Sequence, residues 1–237
     1  ASETHACRAL HAWVSLAGTR YLGLGTTCKY YIEEGGTTFT DITPIRSTTG
    51  NNEISFAASN GSSTLTVTDT GHGAVVGDFV TYSGCATLGG VVVASALNQE
   101  YEITGITSSS VYTIIAKNTS GVAITANSSD SGNGQGTVVG AYQINCGLDV
   151  YVNSAGWGVS TWGDSTWGSS SSITESGQLR LWTHDHFGQD LLINPRAGGV
   201  FYWSESDFTS NSQIRALRLS TKTGANLVPT VGLQTLV

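Results

Sequence analysis

The sequence predicts an all-β fold: antiparallel meander blades with a small β-sandwich or barrel inserted between them. Three observations predict it. Short runs rich in β-branched and aromatic residues are separated by glycine pairs and other turn residues at close intervals. Helix signals are poor throughout, with 30 glycines among 237 residues, and each glycine costs a helix about 1 kcal/mol. The stretch from about Asn51 to Thr137 also changes composition. It is rich in Ser, Thr, Gly and Val, and Lys117 is its only Lys or Arg.

In chain order, LHAWVSL (10–16) reads as a strand, followed by the turn Ala17-Gly18-Thr19. RYLGLGT (20–26) and CKYYIEE (28–34) follow, then a turn at Gly35-Gly36 and TTFTDITPI (37–45). In the middle stretch STLTVTDTGHGAVVGDFVTYSG (63–84) sets Leu65 and Val67 against alternating threonines. It turns at Gly71-His72-Gly73 and again at Gly77-Asp78. ATLGGVVVASALNQE (86–100) is the one place for a short helix, QEYEITGITSSSVYTIIA (99–116) reads as two strands, and SSDSGNGQGT (128–137) reads as a return linker. Near the end come LRLWTHDHF (179–187), QDLLINP (189–195), a turn at Arg196–Gly199, VFYWSES (200–206) and RALRLST (215–221).

The two outer meanders echo each other. Trp13, the turn glycine Gly18 and the pair Tyr30-Tyr31 correspond in order to Trp182, Gly188 and Tyr202-Trp203. Repeated four-stranded units suggest propeller blades. The expected organisation is therefore a discontinuous, partial β-propeller formed by residues 1–50 and 140–237, with an inserted sandwich or barrel at 51–139.

Charge and composition narrow the function. Charged residues are only 11% of the chain and the net charge is −7, which argues against gripping nucleic acid through a basic surface. No apolar run approaches the ~20 residues of a membrane-spanning helix. The opening ASETHACRAL lacks the basic start and apolar core of a signal peptide. With no Met, the chain reads as processed or as a fragment. Cys7, Cys28, Cys85 and Cys146 form no CxxC pair, so a zinc knuckle is not expected. Buried thiols are the plainer expectation, and the disulfide state stays open.

Chemistry is sought and mostly not found. His184 and His186 share one face of a strand, a geometry suited to two metal ligands, yet no third ligand is evident and no metal is expected. His72 reads as a turn residue, with Asp69 able to accept hydrogen bonds from the turn backbone. Glu33-Glu34 and Glu205/Asp207 offer carboxylates for glycoside hydrolysis, a pair that must stand about 5–9.5 Å apart. Gly132, Gly134 and Gly136 lack the Lys-Ser/Thr of a phosphate loop. Asn60, Asn118 and Asn127 begin sequons of the kind that arise by chance in a Ser/Thr-rich chain. No nucleophile elbow occurs, so neither an enzyme nor a cofactor is expected.

GWGVSTWGDSTWGSS (156–170) spaces Trp157, Trp162 and Trp167 five residues apart, each before a glycine. Five matches neither a helix face nor one face of a strand. These rings suit an interface core, plugging of the chain's own core, or stacking on sugar.

Three stretches together resemble bacteriophage virion proteins: YLGLGTTCKYYIEEGGTTFTDITPIR (21–46), AYQINCGLDV (141–150) with the Trp-Gly run, and LRLWTHDHFGQDLLINPRAGGVFYW (179–203). They are similar to the β-propeller nozzle, or tail-hub, proteins of short-tailed phages. The inserted TLTVTDTGHGAVVGDFVTYSG (64–84) resembles small β modules that recur in phage tail and head proteins. The resemblance implies a non-enzymatic virion protein of the tail, assembled in the bacterial host cytoplasm. It implies a homo-oligomeric ring, a hexamer, meeting other tail and portal-adaptor proteins, through which DNA passes without specific binding. For such a conduit Glu33, Glu34 and Asp41 are candidate channel residues. Competing readings are a carbohydrate-binding host-recognition module, a head-decoration protein, and a surface hydrolase using Asp185, Asp190 or Glu205. One departure is the chain length outside 51–139, which holds three or four blades at the usual ~40–50 residues each, too few to close a ring.

Overall fold

The computed structural model describes residues 5–36, 38–132, 137–148, 179–212 and 214–235. The chain is all-β, with four antiparallel sheets among these residues. It divides into two compact units, Ala1–Ile42 with Cys146–Val237, and Thr43–Asn145.

The first unit opens with the meander β1 (Cys7–Val14), β2 (Arg20–Thr26), β3 (Tyr30–Glu33) and β4 (Phe39–Asp41), paired in sequence order. Gly18 takes φ +85° in the β1–β2 turn, a conformation that costs a residue with a Cβ. Alternation sorts the strands: Trp13 is buried while Val14 is exposed, and along β2 Tyr21 is buried beside the exposed Arg20. The expected single strand 37–45 stops at Asp41. Beyond Thr43-Pro44 the chain enters the second unit as β5 (Ile45–Thr48). Proline, lacking an N–H, breaks the ladder there.

The second unit holds β5, β6 (Ser55–Ala58), β7 (Thr64–Thr68), β8 (Phe79–Ser83), the four-residue helix α1 (Ala94–Leu97), β9 (Glu100–Glu102), β10 (Gly105–Ser108), β11 (Val111–Ile115), β12 (Asp130–Gly132) and β13 (Val139–Gln143). A five-stranded sheet runs β10-β11-β7-β6-β12 and a four-stranded sheet runs β5-β13-β8-β9. Their inward residues, among them Phe56, Leu65, Val67, Val80, Tyr82, Tyr112, Ile114 and Tyr142, form one continuous core. The stretch 99–116 gives three strands rather than the two expected, because β9 pairs with β8 in one sheet while β10 pairs with β11 in the other. The chain changes sheets at Ile103-Thr104.

A chain of hydroxyls crosses this core. Tyr82 and Tyr112 hydroxyls stand 2.6 Å apart, Tyr112 and Tyr142 2.7 Å apart, and Tyr142 donates to Asp69 Oδ2 at 2.5 Å. Each hydroxyl has one proton to give, and Tyr142 gives its own to Asp69, so Tyr112 donates to Tyr142 and Tyr82 to Tyr112. Burial pushes the Tyr112 hydroxyl up to about 12 and raises Tyr82 and Tyr142 as well. Tyr142→Phe leaves the buried Asp69 carboxylate without this donor. The expected loss is about 2–3 kcal/mol, in the range for hydrogen bonds to charged groups. Tyr82→Phe, at the far end of the chain, costs only about 1 kcal/mol. Urea unfolding followed by far-UV circular dichroism checks the order; equal losses for the two variants would refute it.

The first unit resumes with the second meander, β14 (Trp182–Phe187), β15 (Asp190–Pro195), β16 (Phe201–Trp203) and β17 (Leu217–Arg218), again paired in order. Gly188 takes φ +69° between β14 and β15. Between β16 and β17 lies the short helix α2 (Glu205–Thr209), absent from the sequence expectation. Ser204 caps it by accepting the Asp207 N–H, and Glu205 and Asp207 lie in its first turn. Carboxylates are favoured there by the unsatisfied backbone N–H groups. Among the described residues no helix is long and apolar enough to cross a membrane.

The cysteine expectation needs correction. Cys28 and Cys146 are joined in a disulfide, while Cys7 is a free exposed thiol and Cys85 a free buried one. Burial raises the Cys85 thiol to about 11, so it stays protonated and inert.

Candidate functional site

A grouping of polar and aromatic side chains lies within the first unit, where β1 packs against β14. It follows from strand alternation: His11 and Trp13 leave β1 on one face, and Trp182, His184 and His186 leave β14 on one face. Glycines in β2 make the room. A Cβ at Gly23 would stand 2.6 Å from the Tyr30 hydroxyl, and one at Gly25 would stand 2.5 Å from the Trp182 indole. Trp182 Nε1 donates to the Thr26 carbonyl at 2.6 Å, and Trp13 Nε1 donates to the Gln189 carbonyl at 3.1 Å.

Three imidazoles meet at this seam. The ring of His11 lies 4.9 Å from that of His184 and 5.5 Å from that of His186. His184 Nδ1 stands 2.8 Å from the Tyr30 hydroxyl, and His184 also hydrogen-bonds the Leu10 backbone. Tyr30 is fully buried and burial raises its hydroxyl pKa, so it is the donor and His184 Nδ1 the acceptor. The other His184 nitrogen then donates to Leu10, leaving a neutral ring with both nitrogens used. Burial lowers the His184 pKa, with His11 adding to the effect. Burial likewise lowers that of His11, with His186 adding to it and Asp185 opposing it.

His186 Nδ1 stands 3.4 Å from His11 Nε2 and 3.5 Å from Asp185 Oδ1. His184 and His186, which the sequence offers as weak candidate metal ligands, are placed differently from one another. The two do share a face, but His184 is committed to Tyr30 and Leu10, and the nitrogen facing His186 belongs to His11. The missing signal was available in LHAWVSL, where His11 alternates in phase with the buried Trp13.

Of the carboxylates considered for hydrolysis, Asp190 and Glu205 each hold hydrogen bonds within the first unit. Asp190 accepts the Tyr202 hydroxyl and, at 2.9 Å, the Glu205 N–H. Glu205 Oε1 accepts the Tyr21 hydroxyl at 3.3 Å. Asp41, a candidate channel residue from the sequence, pairs with Lys29 at 3.2 Å and Arg215 at 2.7 Å. His72 Nδ1 accepts the Ala74 N–H at 3.0 Å, its Nε2 stands 3.2 Å from the Ser108 carbonyl, and its own carbonyl accepts Arg46 at 2.6 Å. It is a turn residue, satisfied at both nitrogens. Trp157, Trp162 and Trp167, together with Gly134 and Gly136, lie outside the described residues.

A second feature is a cleft of about 230 Å³ lined by Tyr202, Arg215, Arg218 and Lys222, with the Lys222 ammonium 3.6 Å from the centre of the Tyr202 ring.

No family model matches this chain, and no curated protein matches it. Among solved structures, a phage phi92 endosialidase is similar at a TM-score of 0.33 and 14% identity, over 91% of this chain and 30% of that one. The chain thus spans under a third of the endosialidase chain it matches.

Proposed function

We propose that this chain is a structural component of a bacteriophage virion, a tail subunit that assembles with copies of itself into the nozzle or hub of the DNA-ejection conduit. The observation that carries the reading is the outer face of β1. Leu10, Ala12 and Val14 alternate outward along it, Leu10 59% and Val14 56% exposed, and Leu16 in the turn that follows is 89% exposed. Among the described residues β1 pairs with β2 alone. An edge strand with an apolar outer row is an invitation to pairing that monomeric proteins suppress with charge or proline. From Leu10 to Val14 no Lys, Arg, Asp, Glu or Pro occurs, which suits a strand covered by the next subunit in a ring. The net charge of −7 fits a passage for DNA, since Lys and Arg contacts would release counterions and hold the polymer. Architecture rather than bond-breaking is the role.

Native mass spectrometry of the intact chain tests the assembly. The wild type forms a closed oligomer, and Leu10→Lys with Val14→Lys yields monomers that keep the wild-type circular dichroism spectrum. A wild-type monomer, or a double variant that assembles unchanged, would overturn the self-assembly reading. Reconstruction of the particle with this subunit on the capsid shell would overturn the tail role.

A further inference from the structure

The geometry points to a transition-metal site made by His11 Nε2, His186 Nδ1 and the Asp185 carboxylate, a site that takes a divalent ion of the zinc class and staples β1 to β14. These three ligand atoms lie within 4.8 Å of one another. Zinc binds imidazole nitrogen at about 2.0–2.1 Å and carboxylate oxygen at about 2.0–2.2 Å in tetrahedral array. Two ligands on one such ion therefore stand about 3.3–3.5 Å apart. The separations of His186 Nδ1 from His11 Nε2 and from Asp185 Oδ1, 3.4 and 3.5 Å, already match. Only the His11–Asp185 edge must close.

The surroundings hold the ligands in place. His186 donates its backbone N–H to Asp185 Oδ1 at 2.9 Å, fixing the carboxylate beside the ring. The His11 ring is held between Trp13, at 5.6 Å, and His184, at 4.9 Å. His184 itself is spent on Tyr30 and Leu10, so it acts as a positioning residue and not as a ligand. Two imidazoles and one carboxylate are borderline donors that suit zinc, nickel or cobalt over calcium or magnesium. His186 is exposed, so a water completes the fourth position and the ion enters from solvent. The competing arrangement is a plain N–H···N hydrogen bond between His11 and His186 with no ion.

The test is titration of the chelator-stripped full chain with zinc by calorimetry, and with cobalt by absorption. The expected result is saturation at one ion per chain and a cobalt d–d spectrum of tetrahedral intensity. A rise in the thermal midpoint with zinc concentration, read by tryptophan fluorescence, should accompany it. His186→Gln and Asp185→Asn each weaken binding by at least about tenfold, since loss of mere outer-shell partners already costs ~10–100-fold. Asp185→Asn keeps an oxygen for the His186 N–H, so the metal-free midpoint stays put. Cys7→Ser binds as the wild type does, setting aside the exposed thiol on the same strand. Absence of saturable binding up to millimolar zinc would overturn the site and leave the hydrogen-bonded pair. Binding that survives both ligand variants would overturn it equally.

Discussion

Replacing Cys28 and Cys146 together with Ser lowers the unfolding free energy of the first unit by about 2–5 kcal/mol. The bond spans 118 residues, with the two Cα atoms 4.1 Å apart. A fully flexible loop of that length would give about 4–5 kcal/mol from closure entropy alone. The loop is not fully flexible, because the second unit folds within it. β13 pairs with β5, and the Ile144 N–H reaches the Pro44 carbonyl at 3.0 Å, so the ends of the insertion are already together. With the second unit folded, the cost is expected near the low end, about 2 kcal/mol; if both units unfold together, it moves toward the high end.

What the bond fastens explains which unit suffers. Cys28 lies in the β2–β3 turn and Cys146 is the first residue of the chain's return to the first unit. The Gly147 N–H then meets the Thr27 carbonyl at 2.9 Å, and Leu148 bridges to Leu179 ahead of β14. Losing the bond loosens the start of the second meander. The readout is built into the sequence: all six tryptophans lie outside Thr43–Asn145. Tryptophan fluorescence in urea therefore follows the first unit, and an unchanged fluorescence midpoint in the double Ser variant or under reductant would refute the assignment.

Much of the fold was legible because it is local. The order Trp, turn glycine, apolar strand, aromatic pair was visible at Trp13, Gly18 and Tyr30-Tyr31 and again at Trp182, Gly188 and Tyr202-Trp203. It corresponds to equivalent strands of two four-stranded meanders. Period-two alternation at Leu65 and Val67 marked a core-facing strand for the same reason. What stayed hidden depends on pairing at long range. No local signal tells Cys28 that Cys146 will be its neighbour, or His186 that His11 will stand beside it. The helix α2 is a different case. Ser204 followed three residues later by Asp207 is a capping signature carried by the local sequence itself.

Gly25→Ala is expected to destabilise the first unit by about 3 kcal/mol or more, a large effect for one methyl group. Gly25 does not need a left-handed backbone; it needs the absence of a side chain. A Cβ there would stand 2.5 Å from Trp182 Cδ1 and 2.7 Å from Cγ. The indole cannot yield cheaply. It is 5% exposed, lies edge-on to Tyr30 at 5.2 Å, and holds the Thr26 carbonyl through Nε1 at 2.6 Å. Overpacking of this kind costs about 1–3 kcal/mol, and pulling the indole away strands a buried carbonyl for about 1–3 kcal/mol more. Trp182→Phe alone loses the same hydrogen bond but gives up the volume that the new methyl would invade. The double variant should therefore be less damaged than the sum of the two singles, with a coupling of about 1 kcal/mol or more for side chains in direct contact. Thermal or urea unfolding of the four proteins, followed by tryptophan fluorescence, measures the cycle. Additive losses, or a Gly25→Ala protein within about 0.5 kcal/mol of wild type, the range of an ordinary surface substitution, would show that Trp182 does not seat against β2 and that the two meanders are not joined at this glycine.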